Sequence, residues 1–193
     1  MRRLIVCAFT AVLCGQPFES ATAQTFEIES EGGTICAAFT YAPGLVATAA
    51  HCTGNSQSFQ LSVGGTAMLR ARGNFDRAGQ TEAERTAQDV ALLWTNTILP
   101  RSYRLIERDP RLGETLRIAP PGAPFQDCTV LARMGDAFDL GCSVQAGWSG
   151  APILTKRLFG QPQLIGVVSG RVDHSLNQLV VMVHARALRR IER

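Results

Sequence analysis

The chain has 193 residues, of which 46% are apolar and 18% are charged, with 18 glycines and 9 prolines. This composition is typical of a globular, loop-rich protein and excludes a coiled coil or a disordered chain. The net charge of +3 is spread along the chain, without a basic block of the kind that binds nucleic acid or anionic membranes. We therefore expect no nucleic-acid partner.

The N-terminus has the features of an export signal. Two arginines precede an apolar run over residues 4–15, and small residues up to Ala23 form a cleavage site. The run is too short to cross a bilayer, which takes about 20 apolar residues. We expect residues 1–23 to be a signal peptide and residues 24–193 to be secreted or periplasmic, without stable membrane association. A lipid anchor on Cys14 is a weaker alternative, because a bulky leucine precedes it.

Export makes disulfides the expected state of the cysteines. Removal of the signal leaves Cys36, Cys52, Cys128 and Cys142, and an even number in an oxidising compartment favours disulfides. These cysteines allow three pairings, of which Cys36–Cys52 with Cys128–Cys142 closes two short loops. The alternative is a zinc site of Cys36, Cys52 and His51. We disfavour it because the chain has no Cys-x-x-Cys pair and because an adjacent His and Cys are expected to aim apart. No metal or other cofactor is predicted.

The body of the chain is a succession of short strands. Apolar or alternating stretches separated by Gly- and Pro-containing turns are typical of all-β sandwiches and barrels. The predicted strands are residues 35–40, 45–49, 58–63, 67–71, 90–94, 115–118, 128–133, 151–154, 163–168 and 178–183. Helices are expected at residues 81–86 and 184–193, and the polar stretch 100–111 is the expected boundary between two halves.

Three segments carry the candidate chemistry. His51 follows a strand among small residues in TAAHC, Asp89 precedes an apolar run in DVALL, and Ser149 lies between glycines in GWSGAP. A buried carboxylate needs a partner such as an imidazole N–H. A serine hydroxyl is a weak nucleophile until a base takes its proton, and that base needs a third group to hold its tautomer. The chain order differs from that of the α/β-hydrolases and of the subtilisins.

These three segments, in this order, resemble the trypsin-like (chymotrypsin-fold) serine proteases. The likeness runs from about Thr34 to the terminal helix and is greatest for the compact bacterial secreted branch that includes the glutamyl endopeptidases. It implies an all-β fold of two six-stranded antiparallel β-barrels, at about residues 24–100 and 112–183, with a short C-terminal helix at 184–193. It also implies a secreted serine endopeptidase that acts on protein or peptide substrates without a cofactor. We further expect a monomer.

Carried over position by position, the resemblance implies roles for individual residues. His51 is the expected general base and acid, Asp89 orients it, and Ser149 forms the acyl-enzyme. The backbone N–H groups of Gly147 and Ser149 are the expected oxyanion hole. The resemblance also implies two disulfides, Cys36–Cys52 around the histidine and Cys128–Cys142 in the second barrel.

Specificity is expected to depend on Ser143, Ser169 and Arg171, which match the primary substrate pocket of the family. Because Ser143 replaces an acid at the pocket base, a Lys or Arg side chain would lack a counter-charge. We expect a small or medium apolar side chain, or an acidic one drawn by Arg171. Ser169 is also an expected hydrogen-bond partner of Asp89. Trp148 stands where vertebrate-type members carry an aspartate, which leaves a catalytically silent homologue, acting as a binding module, as the alternative.

Overall fold

The computed structural model describes residues 25–75, 78–99, 103–156, 161–174 and 177–193, and only the backbone of residues 171–174 and 177–179. The predicted signal peptide therefore lies outside the described residues. Within the described part of the chain, no helix is long and apolar enough to cross a membrane.

Short antiparallel strands dominate the described chain. The strands are β1 (Thr25–Ser30), β2 (Ile35–Ala42), β3 (Leu45–Thr48), β4 (Ser58–Leu61), β5 (Thr66–Arg72), β6 (Ala91–Trp94), β7 (Arg104–Leu105), β8 (Thr115–Ile118), β9 (Gln126–Met134), β10 (Ala137–Gly141), β11 (Pro152–Thr155), β12 (Gln163–His174) and β13 (Asn177–His184). The α-helices are α1 (Glu82–Thr86) and α2 (Arg186–Glu192), and a 3₁₀ turn spans Ala50–Cys52.

The first six strands close into a barrel in the order β1-β2-β3-β6-β5-β4. Side chains alternate between the barrel interior and solvent, as in β1, where buried Phe26 and Ile28 flank an exposed Glu27. The interior also holds Phe59, Leu61 and other buried apolar residues.

The second barrel contains β8 to β13. Its strands follow the order β11-β8-β9-β10-β13-β12, and pairing of β11 with β12 closes the ring. The two-residue β7 adds to this ring in parallel with the start of β12. The predicted fold class, two six-stranded antiparallel barrels with a short C-terminal helix, is confirmed. Three strands were not predicted: β1, β7 and β10.

The two barrels pack against each other through a shared apolar layer. Phe39 and Leu92 of the first barrel lie in one buried cluster with Leu154 and Val167 of the second. The C-terminal helix α2 adds Leu188 to this cluster. Burying such a side chain stabilises the fold by about 1.5–3 kcal/mol. The layer therefore fixes the relative position of the loops that the two barrels contribute to the site.

Two disulfides cross-link segments within the two barrels. Cys36 in β2 is bonded to Cys52 in the 3₁₀ turn, and Cys128 in β9 is bonded to Cys142 just after β10. These are the two pairs that the resemblance implies. In the loop-entropy picture, each closure of this size adds roughly 3 kcal/mol to the free energy of unfolding.

Candidate active site

Strand register brings His51 and Asp89 together. β3 runs antiparallel to β6, and Thr48 at the end of β3 pairs with Ala91 at the start of β6. The chain leaving β3 and the chain entering β6 therefore emerge at the same end of the barrel. His51 follows β3 in the 3₁₀ turn, and Asp89 precedes β6. The small, fully buried Ala49 and Ala50 let this turn lie flat on the barrel.

Asp89 holds the His51 imidazole in one orientation. Its carboxylate is 4% exposed and accepts two bonds from His51, from Nδ1 at 2.7 Å and from the backbone N–H at 2.8 Å. A carboxylate is an acceptor, so Nδ1 carries the proton and Nε2 presents its lone pair. The His51 side chain is 36% exposed. The geometry thus gives an oriented, accessible nitrogen base.

A third hydrogen bond reaches Asp89 from the second barrel. The Ser169 hydroxyl donates to Asp89 Oδ2 at 2.5 Å, as expected from the resemblance. The register between β12 and β13 shifts between Val168 and Gly170, which places Ser169 in a β-bulge. Bulges re-aim side chains next to functional sites. Three donors therefore bond the buried Asp89 carboxylate, and these hydrogen bonds replace those that the carboxylate loses with water on burial.

Ser149 is held against the first barrel by its backbone. It precedes β11, and its carbonyl oxygen accepts from the N–H of Ala37 in β2 at 2.8 Å. The next N–H, of Gly150, donates to Val168 at 2.7 Å. Gly150 has φ +88°, and a Cβ there would lie 2.1 Å from the Ala37 oxygen and 2.4 Å from Thr48 Oγ1. Glycine alone fits this position, and its absence of a side chain lets the serine loop reach β2.

Ser149 and His51 both lie near the Cys52 sulfur. In the described part of the chain, no hydrogen bond joins Ser149 Oγ to the imidazole, and His51 Nε2 lies 3.6 Å from Cys52 Sγ. The same sulfur is 3.8 Å from the Ser149 carbonyl oxygen. The structure thus joins His51 and Asp89 directly, whereas Ser149 is related to them only through the Cys52 sulfur.

The loop before Ser149 leaves two N–H groups free. The Trp148 N–H donates to Gln145 at 3.2 Å across a turn in which Gly147 has φ +88°. Among described residues, the N–H groups of Gly147 and Ser149 have no such partner. The Trp148 side chain packs against the core of the second barrel, which accounts for an apolar residue at this position.

The residues predicted to line the primary pocket lie in different surroundings. Ser143 is exposed, the Ser169 hydroxyl bonds Asp89, and the Arg171 side chain lies outside the described residues. A groove of about 590 Å³ is lined in part by His51. Its walls include Phe75, Gln80, Arg85 and Thr86, together with Asp89 and Ser169.

Sequence reasoning missed this groove because its walls come from the polar segment before Asp89, which has no strand pattern. The signal available was a helix start: the Thr81 hydroxyl accepts from the Glu84 N–H while the Glu84 carboxylate accepts from the Thr81 N–H. Phe75 stands edge-on to the His51 ring, with ring centroids 6.5 Å apart. The groove therefore begins at the base itself.

The residues of the rejected zinc site lie closer together than expected. The Sγ atoms of Cys36 and Cys52 and a ring nitrogen of His51 all lie within 4.8 Å of one another. We expected that an adjacent His and Cys cannot easily aim both side chains at one ion, yet the 3₁₀ turn places a His51 ring nitrogen and the Cys52 sulfur close to each other and to Cys36. In this structure the two sulfurs are bonded to each other.

A second histidine is buried in a structural role. His184 is fully buried; its Nε2–H donates to the Arg108 carbonyl, and its Nδ1 accepts from the Arg186 N–H, both at 3.0 Å. Burial lowers the pKa of His184 below its ordinary value. The neutral ring ties the segment after β7 to the start of α2. None of these contacts involves His51 or Asp89.

Comparisons with known proteins found one family model and several solved structures that are similar to this chain. The sequence model of the Trypsin family matches residues 16–106, a segment that includes His51 and Asp89. The fold is similar to the Rv3671c protease of M. tuberculosis H37Rv in its inactive form, with a TM-score of 0.62, 18% identity, and 97% of each chain covered. The resemblance to the trypsin-like serine proteases is confirmed. The narrower link to the glutamyl endopeptidases is not confirmed by these matches.

Two further structures share this trypsin-like fold. A serine endoprotease from Yersinia pestis matches with a TM-score of 0.66 and 14% identity over 89% of this chain and 62% of that one. The protease Anisep from Arthrobacter nicotinovorans matches with a TM-score of 0.64 and 14% identity over 86% of this chain and 91% of that one. No sequence among curated proteins matches significantly. At these identities the structural likeness shows a shared trypsin-like architecture.

Proposed function

We propose that the protein is a serine endopeptidase that hydrolyses protein or peptide substrates through His51, Asp89 and Ser149. The observation that carries this proposal is the buried Asp89 carboxylate, which accepts both the Nδ1–H and the backbone N–H of His51. A general base that must become an imidazolium needs this support. The Trypsin family match and the protease neighbours support a peptidase.

The proposed reaction begins with proton transfer from Ser149 Oγ to His51 Nε2 as Oγ attacks the peptide carbonyl carbon. The resulting oxyanion accepts hydrogen bonds from the backbone N–H groups of Gly147 and Ser149. Neither N–H donates a hydrogen bond to another described residue. Protonated Nε2 then gives its proton to the leaving amine, the C–N bond breaks, and an acyl-enzyme remains. Water, deprotonated by Nε2, releases the acid and restores Ser149. Asp89 keeps its hydrogen bond from Nδ1–H and holds the ring in position throughout.

This scheme requires Ser149 Oγ to reach His51 Nε2. In unliganded sites such hydrogen bonds are often long and shorten when substrate binds. The Ser149 backbone is already fixed by its bond from Ala37, so we expect the adjustment to be confined to the side chains. The alternative, a binding module on the same fold, is favoured by one observation: Nε2 faces the Cys52 sulfur in the free protein.

Substrate choice is the next part of the proposal. We expect Ser143 and Arg171 to contact the residue before the cut and to favour a small or medium apolar side chain, or an acidic one. Ser169, also assigned to this pocket, is expected to act mainly through Asp89. The groove beside His51 provides space for a neighbouring substrate residue. Profiling with a peptide library tests this assignment, and dominant cleavage after Lys or Arg would contradict it.

The cellular setting is proposed to be the periplasm or the medium. Two disulfides are typical of oxidising compartments, and residues 1–23 have the sequence of an export signal. The mature protein is proposed to be residues 24–193, with barrels at about 24–100 and 112–183, acting as a monomer without a cofactor.

Covalent labelling tests the catalytic assignment. A fluorophosphonate probe should attach once to the folded mature protein, and peptide mapping should place it on Ser149. Ser149→Ala should abolish labelling, whereas Ser58→Ala, which changes a serine in β4 that has no proposed role in the site, should label normally. Failure of the folded protein to label would refute the peptidase and support the binding module.

A further inference from the structure

A second set of donor atoms is built around the proposed catalytic base. Cys36 Sγ, Cys52 Sγ and a His51 ring nitrogen lie within 4.8 Å of one another. Both cysteines are buried, at 4% and 2% exposure, while the imidazole is open to solvent. Two sulfurs and one imidazole nitrogen are a ligand set that favours Zn²⁺.

The distances suit a tetrahedral ion once the sulfurs are separated. With Zn–S near 2.3 Å and Zn–N near 2.0–2.1 Å, tetrahedral angles place sulfur and nitrogen roughly 3.6 Å apart, and two sulfurs roughly 3.8 Å apart. His51 Nε2 already lies 3.6 Å from Cys52 Sγ. The two sulfurs are bonded to each other in this structure, and the Cys36 and Cys52 Cα atoms are 6.1 Å apart. Side-chain rotation after reduction is therefore the main movement required.

Asp89 supplies an independent reason to expect metal binding. Metal-bound histidines usually donate their second ring N–H to a carboxylate, which fixes the tautomer and makes the ligating nitrogen more basic. Asp89 Oδ2 accepts from His51 Nδ1 at 2.7 Å, which leaves Nε2, 3.6 Å from Cys52 Sγ, as the nitrogen that can bind a metal. The arrangement that orients a general base also orients a metal ligand.

We propose that reduction of the Cys36–Cys52 disulfide converts this loop into a Zn²⁺ site with ligands Cys36 Sγ, Cys52 Sγ and His51 Nε2. A dithiol reductant breaks the S–S bond by supplying two electrons and two protons and is itself oxidised to a disulfide. Zn²⁺ then displaces both thiol protons. The fourth position, on the exposed side of the imidazole, is left for water.

The ion blocks the proposed base. Nε2 cannot accept the Ser149 proton while its lone pair is bound to Zn²⁺, so the reduced, zinc-loaded protein is inactive. This consequence rests on the proposed function, whereas metal binding rests on the donor geometry alone. The site therefore makes the enzyme silent under reducing conditions and active after oxidation.

The test uses the full mature protein, reduced with a phosphine. The disulfide oxidises the phosphine to its oxide, with water supplying the oxygen atom, so no added thiol competes for the metal. Co²⁺ is added as a spectroscopic probe and Zn²⁺ as its competitor. Reduced protein should bind one Co²⁺ with a sulfur-to-cobalt charge-transfer band that Zn²⁺ removes. Oxidised protein should show no such band.

Matched variants separate this site from the other cysteines. The double variant Cys128→Ser/Cys142→Ser should keep the band, whereas Cys36→Ser/Cys52→Ser should lose it. Asp89→Asn should weaken Zn²⁺ binding by about 10–100-fold, and His51→Ala should weaken it further. Zn²⁺ should also restore any near-ultraviolet circular dichroism that reduction removes, because binding stabilises the folded state.

Three results would overturn the metal site: no band in reduced protein, a band unaffected by His51→Ala, or tertiary structure lost on reduction and not regained with Zn²⁺. Fluorophosphonate labelling of the oxidised protein tests the proposed function separately. If the oxidised protein labels and the reduced, zinc-loaded protein labels at the same rate, the inhibitory role is wrong.

Discussion

Replacing Ser169 by alanine removes the hydroxyl that donates to Asp89 Oδ2 at 2.5 Å. Ser169 is 9% exposed and Asp89 is 4% exposed, so water has little access to replace the lost donor. A hydrogen bond to a charged group contributes about 1.5–3 kcal/mol. The free energy of unfolding of Ser169→Ala should therefore fall by about that amount.

The same bond should affect catalysis. If all of that energy stabilises the Asp89–imidazolium pair as the proton transfers, the acylation rate falls by roughly 10- to 150-fold, since 1.36 kcal/mol is tenfold. The assay is the fluorophosphonate labelling rate together with urea unfolding. Ser58→Ala in β4 is the control, since a serine with no role in the site should leave the labelling rate unchanged and change stability by less than about 0.5 kcal/mol.

A double-mutant cycle shows whether Ser169 acts through Asp89. The effects of Ser169→Ala and Asp89→Ala on the free energy of unfolding should be coupled by about 1.5 kcal/mol or more, because neither residue can make the bond without the other. Changes that add within about 0.5 kcal/mol would refute the reasoning and assign Ser169 a role independent of the carboxylate.

Three further outcomes follow from the structure. Gly150→Ala should destabilise the fold by more than Gly147→Ala in urea unfolding, because both have φ +88° but only at Gly150 would a Cβ meet backbone, 2.1 Å from the Ala37 oxygen; equal losses would contradict this. Asp89→Asn should lower the labelling rate by about 10⁴-fold through loss of the correct imidazole tautomer, and a loss below tenfold would remove Asp89 from the mechanism. Burial lowers the pKa of the His184 imidazole, so the stability that this neutral ring contributes is present above the ordinary histidine pKa of about 6.5 and is lost as the pH falls below that value. The free energy of unfolding, measured from about pH 7 to about pH 5, should show this loss, and His184→Gln should make the loss smaller.

Sequence patterns predict most of the strands that have apolar alternation or short apolar runs, with β1 as the exception because its alternation of Phe26 and Ile28 with glutamates was not recognised. β2, β6 and β8 fall inside or close to their expected ranges because their side chains go into a core whatever the final topology. β10 was missed because Asp139 interrupts its apolar pattern, and its burial depends on pairing with β9 and β13. β7 is too short to carry a pattern, and its pairing with β12 depends on where the second barrel lies.

Local sequence patterns identify the residues that can carry chemistry. They place His51 after one strand, Asp89 before another and Ser149 between glycines, and this order indicates the trypsin-like resemblance. Each of these features depends on only a few neighbouring residues. The short loops that the cysteines can close are visible in the same way, although a choice among the pairings needs the resemblance.

The way those residues meet depends on the fold. The register of β3 with β6 brings His51 to Asp89, and a bulge carries Ser169 to the same carboxylate across 80 residues of sequence. The 3₁₀ turn aims Nε2 at the Cys52 sulfur, and the closeness of Gly150 to Ala37 fixes the serine loop. Hydrogen bonds and close packing depend on distances of a few tenths of an ångström between segments that are remote in the chain, and no local pattern encodes them.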